Sequence, residues 1–246
     1  MKTGPRCDST FVFYRYTQRY FTNIGVMLLA GSALAAAASP AAAREIDGRV
    51  GVASQYLGKG LGKSDEEPAV FGAVRWTEGA TYADVFMSEA TSSKGATAEL
   101  IATLGHERDL GFAEVDLQIL YREMIGETAG IDSSYVEYQA DVSRAFTSRF
   151  SARLRINYAS NTYGAAREAW WIEPQATIKI SDADKVSFAY GRRDLEGGTN
   201  YAAWNVGVKH RFSDAVSGDL RWYDTDAHDV GERYEGRLAA SLAYAF

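Results

Sequence analysis

Charged side chains recur at alternating positions through this chain, and that spacing is the first sign of chemistry. Glu99, Glu114, Asp116, Glu137 and Asp141 form an acidic set. Arg153, Arg155, Lys179, Arg193, Lys209, Arg211, Arg221 and Arg237 form a basic one. Arg122 interrupts the first set, and Glu173, Asp219 and Glu235 interrupt the second. Each lies where polar and apolar residues alternate, so each belongs to the polar face of a strand. Charges lining one enclosed space select and orient small polar solutes. The same charges can also fill a narrow barrel with salt bridges and leave no through-channel. Both readings are open at this point.

Other reactive groupings are weaker. A lipid hydrolase needs a serine nucleophile beside a histidine. His106, His210 and His228 have no such motif next to them, so a lipid hydrolase is the lesser alternative and no catalytic residue is assigned. Asp224, Asp226, His228 and Asp229 cluster in one loop. They offer oxygens to a hard cation, but solvated loop acids are far commoner, so no metal is assigned. Gly58-Lys59-Gly60-Leu61-Gly62-Lys63 lacks the spacing of a phosphate-binding loop. No cofactor is expected.

The elements that must position the charged sets are strands. The final segment, 234–246, places Leu238, Leu242, Tyr244 and Phe246 on one face and Glu235, Arg237 and Ser241 on the other. About ten residues suffices for a tilted strand to cross a bilayer. The pattern repeats in segments 46–57, 69–77, 82–89, 97–106, 112–122, 134–143, 150–159, 169–180, 186–193, 201–212, 218–223 and 234–246. About twelve strands is an even number, as bacterial single-chain barrels require. In 82–89 the register is ambiguous, and Ala83, Val85 and Met87 are placed outward to keep Asp84 out of lipid. Short and longer connections alternate, the asymmetry of a transmembrane barrel with both termini on the periplasmic, short-turn side.

Aromatic residues gather near strand ends. Trp76, Tyr121, Tyr158, Trp170, Trp222, Tyr244 and Phe246, with Tyr56, Phe150, Tyr190 and Tyr234, are expected to form an interface girdle against lipid and lipopolysaccharide. The fold expected is all-β: a transmembrane antiparallel up-and-down β-barrel. On a ring of about twelve strands the two charged sets should face each other across the lumen.

Residues 1–43 read as a cleaved signal peptide. Arg15 and Arg19 precede an apolar run from Ile24 to Ala38 and a small-residue site at Ala41-Ala42-Ala43. That leaves 44–246 as one barrel domain. Removing the leader's four basic residues and one acidic residue takes the formal net charge from −6 to −9, which argues against nucleic acid. The single cysteine, Cys7, goes with the leader, so no disulfide holds the exported domain. Only Pro68 and Pro174 remain of the prolines, which suits a chain that is nearly all paired strand.

Ser54, Tyr56, Gly60, Ser64, Pro68, Ala69 and Gly72 match the opening hairpin of the TorF family of porins, which this stretch resembles. That pattern is Ser-x-Tyr, an aromatic, Arg-Gly, a Ser, then Pro-Ala-x-Gln-Gly. Leu57-Gly58 departs from it, Lys59 replaces its arginine, and Phe71 its glutamine. The resemblance implies a Gram-negative outer-membrane barrel. A strand ending on Phe246 also resembles the signal read by the barrel-assembly machinery. The expected function is passive diffusion of small polar or charged solutes through a narrow charged lumen. The alternative is a non-conducting structural or surface-interaction barrel.

Overall fold

The computed structural model describes residues 44–92, 94–130, 132–164 and 166–246; the signal peptide expected at 1–43 lies outside the described residues. The strands are β1 (Glu45–Ala53), β2 (Leu57–Gly58), β3 (Leu61–Gly62), β4 (Ala69–Glu78), β5 (Thr81–Glu89), β6 (Ala98–Asp109), β7 (Glu114–Ile125), β8 (Ser134–Ala145), β9 (Phe150–Ala159), β10 (Ala169–Lys179), β11 (Asp184–Leu195), β12 (Tyr201–Arg211), β13 (Val216–Thr225) and β14 (Arg237–Ala245). Twelve of them close a barrel in which consecutive strands pair antiparallel, and β1 meets β14 from Arg49↔Ala245 to Ala53↔Ser241. β2 and β3 pair only with each other, as a small hairpin inside the first long loop. The helical content of the described residues is two 3-10 turns, His228–Val230 and Glu232–Tyr234, and no helix among them is long and apolar enough to cross a membrane.

Alternation decides which side chains enter the barrel. Ile119 is 50% exposed while the adjacent Leu120 is 5% exposed. Ile46, Val50, Leu117, Leu154, Phe188, Val206, Leu238 and Leu242 are likewise exposed on the outside. An apolar belt around a whole circumference has no place in water and suits a hydrocarbon surround. The ambiguous segment takes the register that spares Asp84: Tyr82 and Ser88 are buried inside, with Ala83, Val85 and Met87 on the other parity.

Three short turns share one chemistry. In 146–150, 180–184 and 212–216 a hydroxyl at the second position accepts backbone N–H bonds from within the turn. Thr147 Oγ1 accepts from Arg149 and Phe150, Ser181 Oγ from Ala183 and Asp184, and Ser213 Oγ from Val216. These local bonds hold the chain in a tight reversal that a sheet ladder alone would not supply.

Two expected strands run furthest past the observed ones. The first strand stops at Ala53, not 57, because Ser54 bonds both ways to Ala240, donating from its N–H and accepting at Oγ. The chain then turns into the barrel. The last strand begins at Arg237, not 234, because Tyr234 belongs to a 3-10 turn.

Inward glycines make room for rings laid flat on the wall. A Cβ on Gly105 would collide with the Tyr82 phenol, and one on Gly191 with the Trp171 indole. Gly191→Val therefore should cost about 1–3 kcal/mol through overpacking, read as a lower denaturant midpoint for tryptophan fluorescence. The folded barrel itself should migrate faster unboiled than boiled on a detergent gel.

Candidate functional site

The loop of residues 54–68, between β1 and β4, folds into the long-loop mouth of the barrel. Its tip is the two-residue turn Lys59-Gly60, with φ of 53° and 83°. Two consecutive left-handed residues are what a tight hairpin needs, and glycine supplies the second without steric cost. Ser64 braces the base, its hydroxyl accepting from the Tyr56 N–H and donating to the Glu67 carbonyl.

Two lysines pin this hairpin to the wall. Lys59 pairs with Glu137 of β8, and Lys63 Nζ lies 2.6 Å from Glu99 Oε2 of β6. The Tyr56 hydroxyl donates to Glu99 Oε2 at 2.8 Å, and the Tyr163 hydroxyl to Glu99 Oε1 at 3.0 Å. Between the two acids, Arg122 of β7 reaches Glu99 Oε1 at 2.9 Å and Glu137 Oε1 at 3.4 Å. Asn157 Nδ2 donates to Glu137 Oε1 at 2.8 Å. Glu99 and Glu137 are 0% and 1% exposed and each is held by two cations, so removing the shared Arg122 would leave each buried carboxylate with one.

The far side of the hairpin rests on the other wall. The Tyr201 hydroxyl donates to the Lys59 carbonyl at 2.9 Å. Gly60 lies so close to Ala203 that a Cβ would collide with it. Leu61 and Tyr234 pack on a buried cluster of Trp171, Tyr201, Ala203 and Ala227. The Arg237 guanidinium covers Gly62 and lies 3.4 Å from Glu66. Burial pushes the Lys59 amine down to about 7; Arg122 and Arg193 push the same way, and Glu137 opposes them. Burial also lowers Lys63 and raises the Tyr56 phenol well above its ordinary value.

Nearer the short-turn end, charges pair sideways. Arg155 grips Asp141 through two bonds of 2.8 and 2.7 Å, and Arg153 Nη2 lies 2.6 Å from Glu173. Arg221 bonds Asp219, Asn205 and Ser187. Asp116 accepts from Tyr82 and Gln118. Glu114 is exposed at the rim, 3.4 Å from Ser143 Oγ. At the long-loop end Arg193 is buried between its register partners Trp171 and Tyr201, and at the short-turn end Arg211 lies 3.7 Å from Asp214. The acidic and basic sets expected on separate walls are in part joined by local pairs. Neighbouring strands are only about 5 Å apart, far nearer than the opposite wall, so Asp141–Arg155 and Glu173–Arg153 neutralise across adjacent strands, while Arg221 bonds Asp219 on its own strand. Arg122, the apparent exception in the acidic set, is the residue that joins Glu99 to Glu137.

Two of the aromatics expected in the girdle are elsewhere. Tyr56 points inward to Glu99, and Tyr234 makes an edge contact with Tyr201, centroids 5.4 Å apart. Trp76, Tyr244 and Phe246 lie toward the short-turn end. Tyr121, Tyr158, Trp170 and Trp222 lie toward the other, with Tyr158 and Trp170 centroids 4.6 Å apart. Phe246 lies against Gly48 across the closing seam and exchanges two backbone bonds with it.

The histidines hold neighbouring side chains. His106 meets Thr81, His210 meets Asp184, and His228 meets Asp224. Ser181 and His210 both bind Asp184 and not one another. Asp226 is taken by the Ala202 N–H. Among the described residues no group of acids, histidines and cysteines is arranged to hold a metal.

Sequence reasoning missed Lys59, Lys63, Tyr56, Tyr163 and Asn157 as members of one site. The usable signal was two lysines in a Gly-Lys-Gly-x-Gly-Lys run, where paired positive φ makes a tight hairpin.

Among solved structures, the fold is similar to a KdgM porin, with TM-score 0.55, 8% identity, and coverage of 83% of this chain and 99% of that one. A NanC porin matches at TM-score 0.55 and 10% identity over 82% of this chain and 99% of that one. A second KdgM porin structure, described as in complex with disordered oligogalacturonate, matches at TM-score 0.55 and 8% identity over 83% and 99%. At these identities the likeness is one of fold. No curated protein matches. Residues 36–243, most of the chain, match the family model described as a bacterial protein of unknown function, Gcw_chp, and the chain belongs to that family.

Proposed function

We propose that this protein is a bacterial outer-membrane porin that passes small polar or charged solutes through a narrow charged lumen, constricted at its outer mouth by the 54–68 hairpin. The observation that carries the reading is a wet interior beneath that hairpin. The side chains of Arg153, Arg155 and Asp219 keep 25%, 31% and 27% of their exposure although they point into the barrel. The opening at the short-turn mouth therefore continues inward as far as Arg153 and Arg155, midway along β9, in a bore whose outside is apolar.

The TorF resemblance supports the same reading. Ser54, Tyr56, Gly60 and Ser64 of its motif build the inward hairpin, and Lys59 supplies the cation where the motif has arginine. In this reading Phe246 presents the last strand to the assembly machinery, and the two aromatic ends meet lipid and lipopolysaccharide.

The pinned hairpin favours a second reading, a barrel closed at rest. Single-channel recording in planar bilayers separates the two. The full chain should conduct, and deleting 57–62 should raise unitary conductance roughly twofold or more, because a constriction is removed. Silence from both proteins, folded by the gel criterion, would sink the porin reading. Conductance from the deletion alone would favour the closed barrel.

Proton linkage gives a further expectation. In the seated hairpin Lys59 titrates near 7; released into water it returns to the ordinary lysine range, about 10.4. Release therefore takes up a proton between those values, so the seat weakens as pH falls through that window. Open probability should rise from about pH 10 to about pH 7 and level off below. A Lys59→Met/Lys63→Met double variant should flatten the profile.

A further inference from the structure

The short-turn end of the barrel carries a feature that the charge pairing above leaves unused. Lys179, Lys185 and Lys209 lie in direct cross-strand register on β10, β11 and β12. All three share the parity of Ser187 and Ala189, the inward face. Like-charged residues directly opposite one another, with Cβ atoms about 5 Å apart, destabilise a sheet. The chain supplies little to offset them. Lys179 reaches Asp182 at 2.6 Å, but that carboxylate lies in a turn and is 90% exposed. The register partner of Lys209 is Asp219, whose two oxygens are already held by Arg221 at 3.1 and 3.2 Å. Lys185 and Lys209 have no ion pair or side-chain hydrogen bond among the described residues.

The opposite-sign row shows what compensation looks like in this protein. Glu107, Asp116 and Asp141 stand in register on β6, β7 and β8. Glu107 lies 3.5 Å from Arg75, Asp116 takes the Tyr82 hydroxyl and Gln118, and Asp141 takes Arg155. Two rows of equal geometry are built; every member of the acidic one is answered by the chain, and in the lysine row only Lys179 is.

We propose that the lysine row is a binding site for a small multivalent oxyanion, a di- or tricarboxylate or phosphate, at the inner mouth of the lumen. The proposal rests on the porin reading for its role in passage but not for binding itself. Adjacent ammonium groups offer several donors each to oxygens of one bridging anion, the charge-assisted bonding that such anions favour. A single chloride can bridge them only as a monovalent point charge, so valence should matter.

The test uses citrate and inorganic phosphate with the full chain in detergent, at ionic strength matched with sodium chloride. Citrate should bind and raise the thermal midpoint. The Lys185→Gln/Lys209→Gln variant should weaken citrate binding at least about tenfold, or about 1.4 kcal/mol. Without anion the variant should melt higher than the parent, since the repulsion is relieved. Lys94→Gln, in an outer loop, should leave binding unchanged. In neutral-lipid bilayers citrate should reduce the parent's current and not the variant's.

Unchanged citrate affinity in the variant, or equal effects of citrate and chloride, would overturn the site. Binding without any current would leave the site standing and remove the porin reading. Current without binding would do the reverse.

Discussion

Closure of the barrel through the β1–β14 seam is the constraint from which the other features follow. Once the first strand bonds the last, every strand has two faces of fixed destination, and the two-residue period of the chain sorts them. The apolar set goes outward with no free edge, and the polar set is confined to a concave wall. Phe246 secures that seam by lying on Gly48, where any larger residue would push it away. A one-residue slip there would send Arg237 outward and Leu238 inward.

Confinement of charges has a consequence for the long-loop mouth. Glu99, Arg122 and Glu137 occupy adjacent strands on the inner wall and are removed from water by the 54–68 hairpin. Two carboxylates and one guanidinium leave a negative remainder, and burying it alone would be expensive. The hairpin brings Lys59 and Lys63 with it, so the element that desolvates the acids also carries cations to them. This explains why a loop rich in lysine and glycine lies inside the barrel. Glycine lets the tip approach Ala203 and the Arg237 guanidinium, and lysine has the reach to span the remaining gap.

The sequence made the barrel readable because parity is local. Val186 and Phe188 against Ser187 and Ala189 can be sorted without knowing any partner strand. The same holds for 82–89, where the cost of Asp84 in hydrocarbon chose the register. Pairing of charges is not local. Asp141 and Arg155 are fourteen residues apart, and nothing in either segment says whether an acid will bond the next strand or look across the lumen. Distance decides, and distance appears only when the ring is built. Loop trajectory was hidden for a related reason. Tyr56 near a strand end has the composition of a girdle residue, and only the turn made at Ser54 redirects it to Glu99.

The difference between the two mouths follows from loop length. At the long-loop end, fifteen residues between β1 and β4 are enough to reach across the barrel and deliver countercharges to a buried row. At the other end, connections such as 180–183 and 212–215 have no length to fold inward. They can offer only Asp182 and Asp214, exposed acids beside Lys179 and Arg211. A row of like charges at that end must therefore be answered by neighbouring strands or by something from solution. For the acidic row the neighbours suffice, because Arg75 and Arg155 stand next to it. For the lysine row Asp182 reaches only Lys179 and the one acid in register, Asp219, is already committed to Arg221, so Lys185 and Lys209 are left to what the solution supplies.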